Sequence, residues 1–330
     1  FMTPFVWMFI SSYENLRYFI LGQKTITSLI QLEYSGFEGA TVPICTFTLH
    51  NNTIPNFKSG FIKLSDFKGV SKQEPKTLEA IENHNCGWFY RVSTDKLKFL
   101  PGNPIAYWIS NQFLDQYSNN KKRFKDYFSA NEGIKTGENN RFIRFWFEVS
   151  RNKCGLFGQS KKWISHSKGG EFRRWYGNLL WVVNWENNGL EMRSSGKAGF
   201  QGKINYGEIG GVWTKISNTY FSTRLQPKGS TFDSACPGFF QKNKISHLEG
   251  LALLSSSSIQ LLIKLINPTM NFQVGNIANL PMPEGSDWKE SSKLVAEKLI
   301  GIAKSDWDEY EISKDFKYLN LLDTKFYTNN

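Results

Sequence analysis

The stretch Leu179-Leu180-Trp181-Val182-Val183-Asn184-Trp185 decides the fold of the middle of this 330-residue chain, because its β-branched and aromatic residues favour a buried strand. Three similar runs lie close to it in the sequence, at Phe142–Val149, Gly210–Ile216 and Phe221–Leu225. Clusters of glycine, asparagine and serine separate these runs, as in folds built from short strands joined by turns. We therefore predict a twisted, largely β module within residues 111–285.

The residues before this module are typical of an α/β sheet domain, which we place at residues 1–110. The predicted elements are a helical segment within residues 1–30, strands at Ile26–Leu32 and Val42–Leu49, a turn at residues 35–39, and a helix and a strand within residues 76–93. The polar run Asn119–Arg123 marks the boundary with the β-rich module.

The residues after the module predict helices. We expect a helical pair at Leu251–Leu254 and Ile259–Ile266 around four serines, an exit strand or loop at Asn276–Pro283, and a final helix at Asp287–Ala303. Residues 286–330 are interpreted as a helical spacer. The predicted fold class is thus α/β followed by a mixed, β-rich part.

Positive charge is concentrated in the middle of the chain. Residues 121–245 hold 22 basic and 9 acidic residues, a net charge of +13, whereas residues 1–120 carry +1 and residues 246–330 carry −3. Aromatic residues make up 15% of the chain, including 11 tryptophans. A surface that combines cations with flat rings can neutralise phosphates and stack on bases, so nucleic acid is the first partner to consider.

The four cysteines, Cys45, Cys86, Cys154 and Cys236, are far apart in the sequence. Their spacing argues against a zinc knuckle or a disulfide scaffold and fits a reducing cytoplasm. The apolar opening Met2–Ile10 has no basic n-region and is too short to span a bilayer, so neither a signal peptide nor a membrane anchor is expected. Because the chain starts at Phe1, we interpret it as a piece of a larger protein.

The strongest candidate binding segment is the run Lys168-Gly169-Gly170-Glu171-Phe172-Arg173-Arg174-Trp175-Tyr176-Gly177-Asn178, in which cations alternate with rings. Arginine is the commonest bidentate partner of guanine in the major groove. We expect at least one of Arg173 and Arg174 to point outward, because Glu171 can pair with only one of them. The alternative is a solvated charged surface with Trp175 in the core.

Two further segments could contribute to the same face. The glycine-rich segment 133–142 suits a tight loop whose backbone N–H groups and Arg141 face a phosphate, although such a turn can also be only a turn. A polar cluster at residues 214–228 could add a strand edge. The candidate DNA-binding residues are Thr136, Asn139, Asn140, Arg141, Arg144, Lys161, Lys162, Lys168, Arg173, Arg174, Trp175, Tyr176, Thr214, Lys215, Arg224 and Lys228.

The sequence offers no catalytic or metal-binding constellation. The four histidines are isolated, without metal-ligand spacing, and no histidine is indicated beside Asp233 and Cys236. The strings at Asn103-Pro104 and Asn267-Pro268 lack the second proline and the ring of the Asn-Pro-Pro-Tyr/Phe motif of DNA amino-methyltransferases. We therefore predict no catalytic, cofactor-binding or metal-binding residue in this chain.

Seven segments together resemble the adenine-specific DNA methyltransferases of BREX phage-defence systems and, more broadly, the methylases of Eco57I-like type II restriction enzymes. They are residues 1–14, 36–43, 101–108, 136–142, 168–178, 267–275 and 304–311, in the order of the family and over nearly the whole chain. Some are generic alone, but jointly they are specific.

The resemblance implies an enzyme that transfers a methyl group from S-adenosylmethionine to N6 of a flipped adenine in double-stranded DNA. The cofactor and catalytic motifs of the family are expected before Phe1. The chain would thus contain the closing part of a Rossmann-like methyltransferase domain, a TaqI-like target recognition domain and the spacer, and would be inactive alone. The resemblance also implies a cytoplasmic protein that contacts other BREX or restriction-modification proteins and does not bind a membrane.

Two alternatives stay open at this point. The chain could be the specificity domain of a fused type IIG restriction-methylation enzyme, which a nuclease domain in the same protein would reveal. It could instead be a non-catalytic RNA-binding or scaffold module, which should prefer single strands to duplexes.

Overall fold

A computed structural model describes residues 1–34, 36, 42–100, 102–110, 112–114, 117, 121–217, 220–267, 270–285 and 287–318. The chain forms two compact units, Phe1–Lys121 with Lys264–Thr269, and Lys122–Ile263 with Met270–Asn330. Both units combine helices with strands, and the strands form several sheets, which confirms the mixed α/β class. Apart from Gly36, the turn predicted at residues 35–39 lies outside the described residues.

Among the described residues, the first unit contains a five-stranded sheet together with helices. Its elements are β1 (Met2–Pro4), α1 (Glu14–Gln23), β2 (Thr25–Gln31), β3 (Ile44–His50), β4 (Lys58–Lys63), α2 (Gln73–Glu82) and β5 (Phe89–Ser93), with 3₁₀ turns at Phe5–Met8, Ser11–Tyr13, Val70–Lys72 and Thr94–Phe99. The strand order is β1-β3-β2-β4-β5, in which β2 and β4 run parallel and the other neighbours antiparallel.

The helix predicted within residues 1–30 is shorter than the apolar pattern suggested. Met2–Pro4 pair with Ile44–Thr46 as an edge strand, and α1 follows only after two 3₁₀ turns. The predicted strands Ile26–Leu32 and Val42–Leu49 are confirmed as β2 and β3, each shifted by one or two residues. Tertiary pairing with β3 therefore overrides the helical spacing at the start of the chain.

The core of the first unit lies on both faces of the sheet. Successive side chains on a strand point to opposite faces. Phe61 is fully buried in one cluster with Ile20 of α1, whereas the adjacent Ile62 packs in a second cluster with Ala80 of α2. The alternation along β4 thus explains why α1 and α2 cover different faces.

The second unit contains eleven short strands in three sheets among the described residues. They are β6 (Phe128–Asn131), β7 (Ile134–Lys135), β8 (Ile143–Phe145), β9 (Cys154–Gly155), β10 (Trp163–Ser167), β11 (Trp181–Asn184), β12 (Gly199–Phe200), β13 (Gly210–Trp213), β14 (Thr223–Gln226), β15 (Thr231–Phe232) and β16 (Gly238–Gln241). The sheets run β14-β13-β16-β6, β15-β10-β11-β8 with β9 beside β10, and β12-β7.

The helices after Lys121 are α3 (Phe124–Tyr127), α4 (Asn139–Phe142), α5 (Glu186–Ser194), α6 (His247–Ser255), α7 (Ser257–Ile266), α8 (Val274–Ala278) and α9 (Asp287–Asp308), with 3₁₀ turns at Trp146–Glu148, Arg151–Lys153 and Lys203–Asn205. The helical pair around the serines is confirmed as α6 and α7. A capping box, in which Glu249 accepts hydrogen bonds from the backbone and hydroxyl of Ser246, begins α6.

Three predicted elements of the second unit differ from the structure in extent or type. The strand predicted at Phe142–Val149 is confined to β8, because α4 ends at Phe142 and a 3₁₀ turn begins at Trp146. The exit strand or loop predicted at Asn276–Pro283 begins as the short helix α8. The final helix extends to Asp308, five residues beyond the predicted end.

Strands β10 and β11 pair antiparallel, and the segment Lys168–Asn178 connects them on the way to Leu179. We call this segment the arginine loop. Tyr176 of this loop and the adjacent Leu179 form a small core with Trp307 of α9. This core is separate from the main core around Phe232 and Val183. Within the described ranges, no helix has both the length and the apolar character needed to cross a bilayer.

Candidate nucleic-acid interface

The arginine loop is held at its end by the backbone of β14. The N–H of Trp175 donates to the carbonyl of Thr223 over 3.0 Å, and the N–H of Leu225 donates to the carbonyl of Trp175 over 2.8 Å. Trp175 has φ +70°, and the N–H of Tyr176 donates to the carbonyl of Arg174, which makes a tight γ-turn centred on a tryptophan. This backbone conformation is costly for a bulky residue, so the two hydrogen bonds to β14 must hold it in place.

Arg224 holds the start of the loop. Its side chain is fully buried, and the guanidinium donates to the carbonyl of Lys168 over 2.9 Å, to the hydroxyl of Thr214 over 3.4 Å and to the thiol of Cys236 over 3.3 Å. Thr214 in turn donates to the carbonyl of Gly170. Because nothing of Arg224 is exposed, this predicted DNA-binding residue supports the loop from inside and does not reach a ligand in this conformation.

A buried carboxylate lies beneath Lys168. Asp233 is 4% exposed, and its carboxylate oxygens accept from the N–H of Ala235 over 2.7 Å and from Lys168 Nζ over 3.4 Å. His166 Nε2 lies 3.5 Å from the same carboxylate, and His166 Nδ1 is 2.9 Å from the hydroxyl of Thr231. Burial alone would raise the pKa of Asp233, but the hydrogen bond and charge of His166, the Ala235 N–H and Lys168 together hold this pKa below its usual value.

Arg173 is held by helix α9 and the residues after it. Its Nη1 donates to Asp306 over 2.6 Å, and its guanidinium carbon lies 5.1 Å from the Trp307 ring centroid and 5.0 Å from that of Tyr310. Trp307 also covers Gly177, whose φ is +120° and where an added Cβ would lie 3.0 Å from the indole. One tryptophan therefore contacts both the middle and the exit of the loop.

Tyr176 faces inward with the small core. The ring is 8% exposed, and Lys304 Nζ lies 5.5 Å from its centroid while bonding to Asp308 and Asp315. Burial raises the pKa of the Tyr176 phenol. Burial opposes the charge of Lys304, yet its bonds to Asp308 and Asp315 raise its pKa. Tyr176 is therefore placed as a core residue, not on the exposed face of the loop.

The outward face of the loop carries Glu171, Phe172 and Arg174, all of them exposed. The guanidinium carbon of Arg174 lies 5.5 Å from the Phe172 ring centroid, and no ion pair of Arg174 occurs among the described residues. The expectation that one arginine of the pair points outward is thus confirmed for Arg174. Glu171 is not the partner of Arg173, because Asp306 takes that place.

The segment around Arg141 forms a separate cluster, tied to carboxylates. Arg141 pairs with Glu191 at 2.8 Å and with Glu138 at 3.4 Å, and Lys197 also bonds to Glu138 at 3.0 Å. Hydrogen bonds and charges from Lys197 and Arg141 lower the pKa of Glu138. Arg141 is exposed but already neutralised, which lowers its value as a phosphate contact.

The neighbours of Arg141 are mostly occupied by local contacts. Thr136 is buried and donates to the side chain of Asn139 over 2.5 Å, and Arg144 donates to the carbonyls of Asn140 and Ile143. Asn139 and Asn140 are exposed. Gly133 serves packing: an added Cβ would lie 1.9 Å from the carbonyl oxygen of Phe232. The glycine is thus needed where the chain passes β15.

The remaining predicted lysines are dispersed. Lys162 pairs with Glu186 at 2.9 Å, and Lys215 with Glu132 at 2.5 Å. Lys161 donates to the carbonyl of Asn152 while staying exposed, and Lys228 is exposed at a turn. The structure therefore brings five predicted residues together on the arginine loop, Lys168, Arg173, Arg174, Trp175 and Tyr176. Thr214 and Arg224 contact this loop from outside it, and the other candidates lie in separate places.

The residues that complete this loop were not among the candidates. They are Phe172, Asp233, Asp306, Trp307 and Tyr310. A signal for four of them existed, since Phe172 lies in segment 168–178 of the resemblance. Asp306, Trp307 and Tyr310 lie in its segment 304–311. Among the described residues, no group of three or more His, Cys, Asp or Glu side chains could hold a metal ion.

Two curated relatives and a solved structure are among the known proteins that resemble this chain. Over 96% of its length, the chain is 32% identical to the adenine-specific methyltransferase PglX of Lacticaseibacillus casei (strain Zhang), of which it covers 27%. Over 97% of its length, it is 34% identical to the adenine-specific methyltransferase BrxX of Escherichia coli O9:H4 (strain HS), of which it covers 26%. The chain thus spans about a quarter of the length of these relatives.

The crystal structure of the type IIG restriction endonuclease BpuSI aligns with 92% of this chain and 41% of its own, at 10% identity and a TM-score of 0.32. No protein-family model matches the chain.

Proposed function

We propose a DNA-recognition role from the premise that this chain is homologous to part of the adenine-specific methyltransferases PglX and BrxX. It would be the sequence-recognition portion of a site-specific N6-adenine DNA methyltransferase that acts in BREX or restriction-modification phage defence in the cytoplasm. Its ligand is double-stranded DNA. S-adenosylmethionine would bind outside this chain, and contacts with other defence proteins would belong to the complete enzyme.

In this proposal, residues 1–110 close the methyltransferase domain, residues 111–285 recognise the target and residues 286–330 form the spacer. The catalytic and cofactor motifs implied by the family resemblance are absent from the sequence of this chain. The isolated chain therefore transfers no methyl group. Incorporation of labelled methyl into DNA by the purified chain, or binding of S-adenosylmethionine measured by calorimetry, would contradict this part of the proposal.

The observation that carries the proposal is the presentation of Arg174 by a loop whose backbone is fixed at several points. Thr223 and Leu225 hold Trp175, Arg224 holds Lys168, and the exposed guanidinium of Arg174 has no described carboxylate partner. A preorganised arginine loses little conformational freedom on binding, and its planar donors fit a guanine edge or a phosphate.

The net charge of the sequence region that contains the loop favours a polyanion. Residues 121–245 carry a net charge of +13, and the exposed cations Lys161 and Lys228 lie in the same segment. Phe172 adds an exposed ring beside Arg174. Phosphate contacts from such lysines set position, whereas Arg174 and its neighbours on the loop would provide base contacts.

Selection of bound duplexes from a randomised pool by the purified chain tests the proposal, because it measures sequence preference without catalysis. We expect a short enriched motif and a loss of enrichment for the variant Arg174→Ala. Equal recovery of all sequences would contradict sequence recognition. Preferential binding of single-stranded RNA in a parallel competition would favour an RNA-binding module instead.

A further inference from the structure

We propose that Arg173 is a positioning residue: it latches the arginine loop to the end of helix α9 and thereby fixes the direction in which Arg174 meets DNA. This inference rests on the proposed function, since it assigns a role in duplex recognition to a residue that would not itself touch DNA. It also assigns a role in recognition to Asp306, Trp307 and Tyr310, which lie 133 or more residues from Arg173 in sequence.

Arg173 already has one carboxylate and two rings as partners. Its charge is paired with Asp306 at 2.6 Å, and its planar group lies against the rings of Trp307 and Tyr310, with centroid distances of 5.1 and 5.0 Å. The side chain is 25% exposed. A guanidinium that contacts one carboxylate and two rings would have to give up these contacts to reach a phosphate or a base, so its direct use by DNA is unfavourable.

The neighbouring Arg174 has the opposite environment. It is exposed, its nearest described ring is that of Phe172, and the backbone turns sharply just after it at Trp175. Holding the Arg173 side chain against α9 fixes the backbone between the two residues, so Arg174 is turned away from α9. Trp307 strengthens this arrangement because it also packs against Gly177 at the exit of the loop.

The chemistry of the latch requires arginine. A lysine could keep the ion pair with Asp306, but its compact ammonium lacks the flat surface that lies against two rings. The variant Arg173→Lys should therefore hold the loop less well than arginine and better than alanine. Asp306→Asn should weaken the latch from the other side while leaving every residue of the loop unchanged.

The test compares Arg173→Ala, Arg173→Lys, Asp306→Asn and Arg173→Ala/Asp306→Asn with the unaltered 330-residue chain. The first measurement is hydrogen exchange of the amides of Trp175 and Leu225, which reports the order of the loop without DNA. The second is the affinity for a duplex selected by the unaltered chain. Glu79→Gln is the matched control, since it removes a 2.7 Å surface ion pair with Lys76 on α2 of the first unit.

We expect faster exchange and about three- to tenfold weaker duplex binding for Arg173→Ala and Asp306→Asn, a smaller loss for Arg173→Lys, and no change for Glu79→Gln. The double variant should bind the duplex no more weakly than Arg173→Ala, because both changes break the same ion pair between positions 173 and 306. A loss of affinity in Arg173→Ala with unchanged exchange would make Arg173 a DNA contact and overturn the proposal. Unchanged exchange and affinity would overturn it as well.

The same measurements separate the latch from the proposed function. If the unaltered chain binds no duplex, the proposed function fails and the role of Arg173 in recognition fails with it. Faster exchange in Arg173→Ala would then still identify a structural latch. If the unaltered chain binds duplex and the latch variants show the same exchange and affinity as Glu79→Gln, the proposed function stands and the latch does not.

Discussion

The guanidinium of Arg174 lies 5.5 Å from the ring centroid of Phe172, and the two exposed side chains form the outward face of the arginine loop. Arg173, one residue earlier, is bound to Asp306. Two adjacent arginines of one loop therefore have different environments, and substitutions at the two positions should differ in their effects.

Replacing Arg174 by alanine should weaken duplex binding by about 1–3 kcal/mol if the guanidinium contacts a base edge, and the selected motif should become less specific at one position. If it contacts a phosphate, affinity should fall alike for all sequences and the motif should persist. Selection from a randomised pool followed by titration distinguishes these outcomes. Unchanged affinity and motif would show that Arg174 is not a DNA contact.

Duplex binding should depend steeply on salt. If about five phosphates are neutralised, the slope of log affinity against log salt concentration should be near −4 to −5. Titrations between low and moderate salt, with the same duplex throughout, measure the slope. Binding that does not change with salt would contradict an interface based on the lysines and arginines of residues 121–245.

Replacing Arg224 by alanine should lower the free energy of unfolding by about 2–4 kcal/mol, because it leaves the Lys168 carbonyl without this donor and opens a cavity under the loop. Denaturant unfolding measures the change. The exposed Arg151 provides the control, whose replacement by alanine should change stability by less than about 0.5 kcal/mol. Equal stability of the two variants would contradict a supporting role for Arg224.

Replacing Gly133 by alanine should destabilise the second unit by about 2 kcal/mol or more, since the new Cβ would meet the carbonyl of Phe232 at 1.9 Å and the backbone must shift. In Gly301, within α9, an added Cβ meets nothing within 4 Å. Gly301→Ala should therefore stabilise the chain slightly, by about 0.5–1 kcal/mol. Thermal unfolding of both variants checks the contrast in sign.

Asp233 should contribute to acid sensitivity. Its folded-state pKa is lowered, so the charged carboxylate stabilises the fold at a pH above the ordinary aspartate pKa of about 4, and this contribution is lost as the pH falls through the lower folded-state value. Asp233→Asn should be less stable than the unaltered chain at neutral pH, and the gap should narrow below about pH 4. Unfolding free energies from pH 7 to pH 3 test this, and a constant gap would contradict it.

Much of the secondary structure followed from local pattern. The run Leu179–Trp185 contains β11, and the serines after Leu254 separate α6 from α7 as expected. The start of the chain did not follow, because Met2–Pro4 pair with β3, a partner 40 or more residues away. Periodicity reports a buried face but not the partner that covers it.

The candidate site was predictable in location but not in the roles of its residues. The alternation of cations and rings in the arginine loop is visible in the sequence, whereas the partners that distinguish Arg173 from Arg174 lie 133 residues away at Asp306 and beyond. The roles of Arg224 and Arg141 could not be predicted from the sequence either. Composition cannot reveal that one is enclosed beneath the loop and that the other is neutralised by Glu191.

The anchoring of the loop at Trp175 uses only main-chain donors and acceptors of β14. Hydrogen bonds of this kind do not depend on which side chains stand at positions 172 and 174, so mutations there should cost little in folding. Under the proposed function, natural variation at these two positions would alter the DNA sequence that is recognised while the scaffold persists. A host lineage would in this way acquire a new recognition sequence by point substitution, without exchanging the whole second unit.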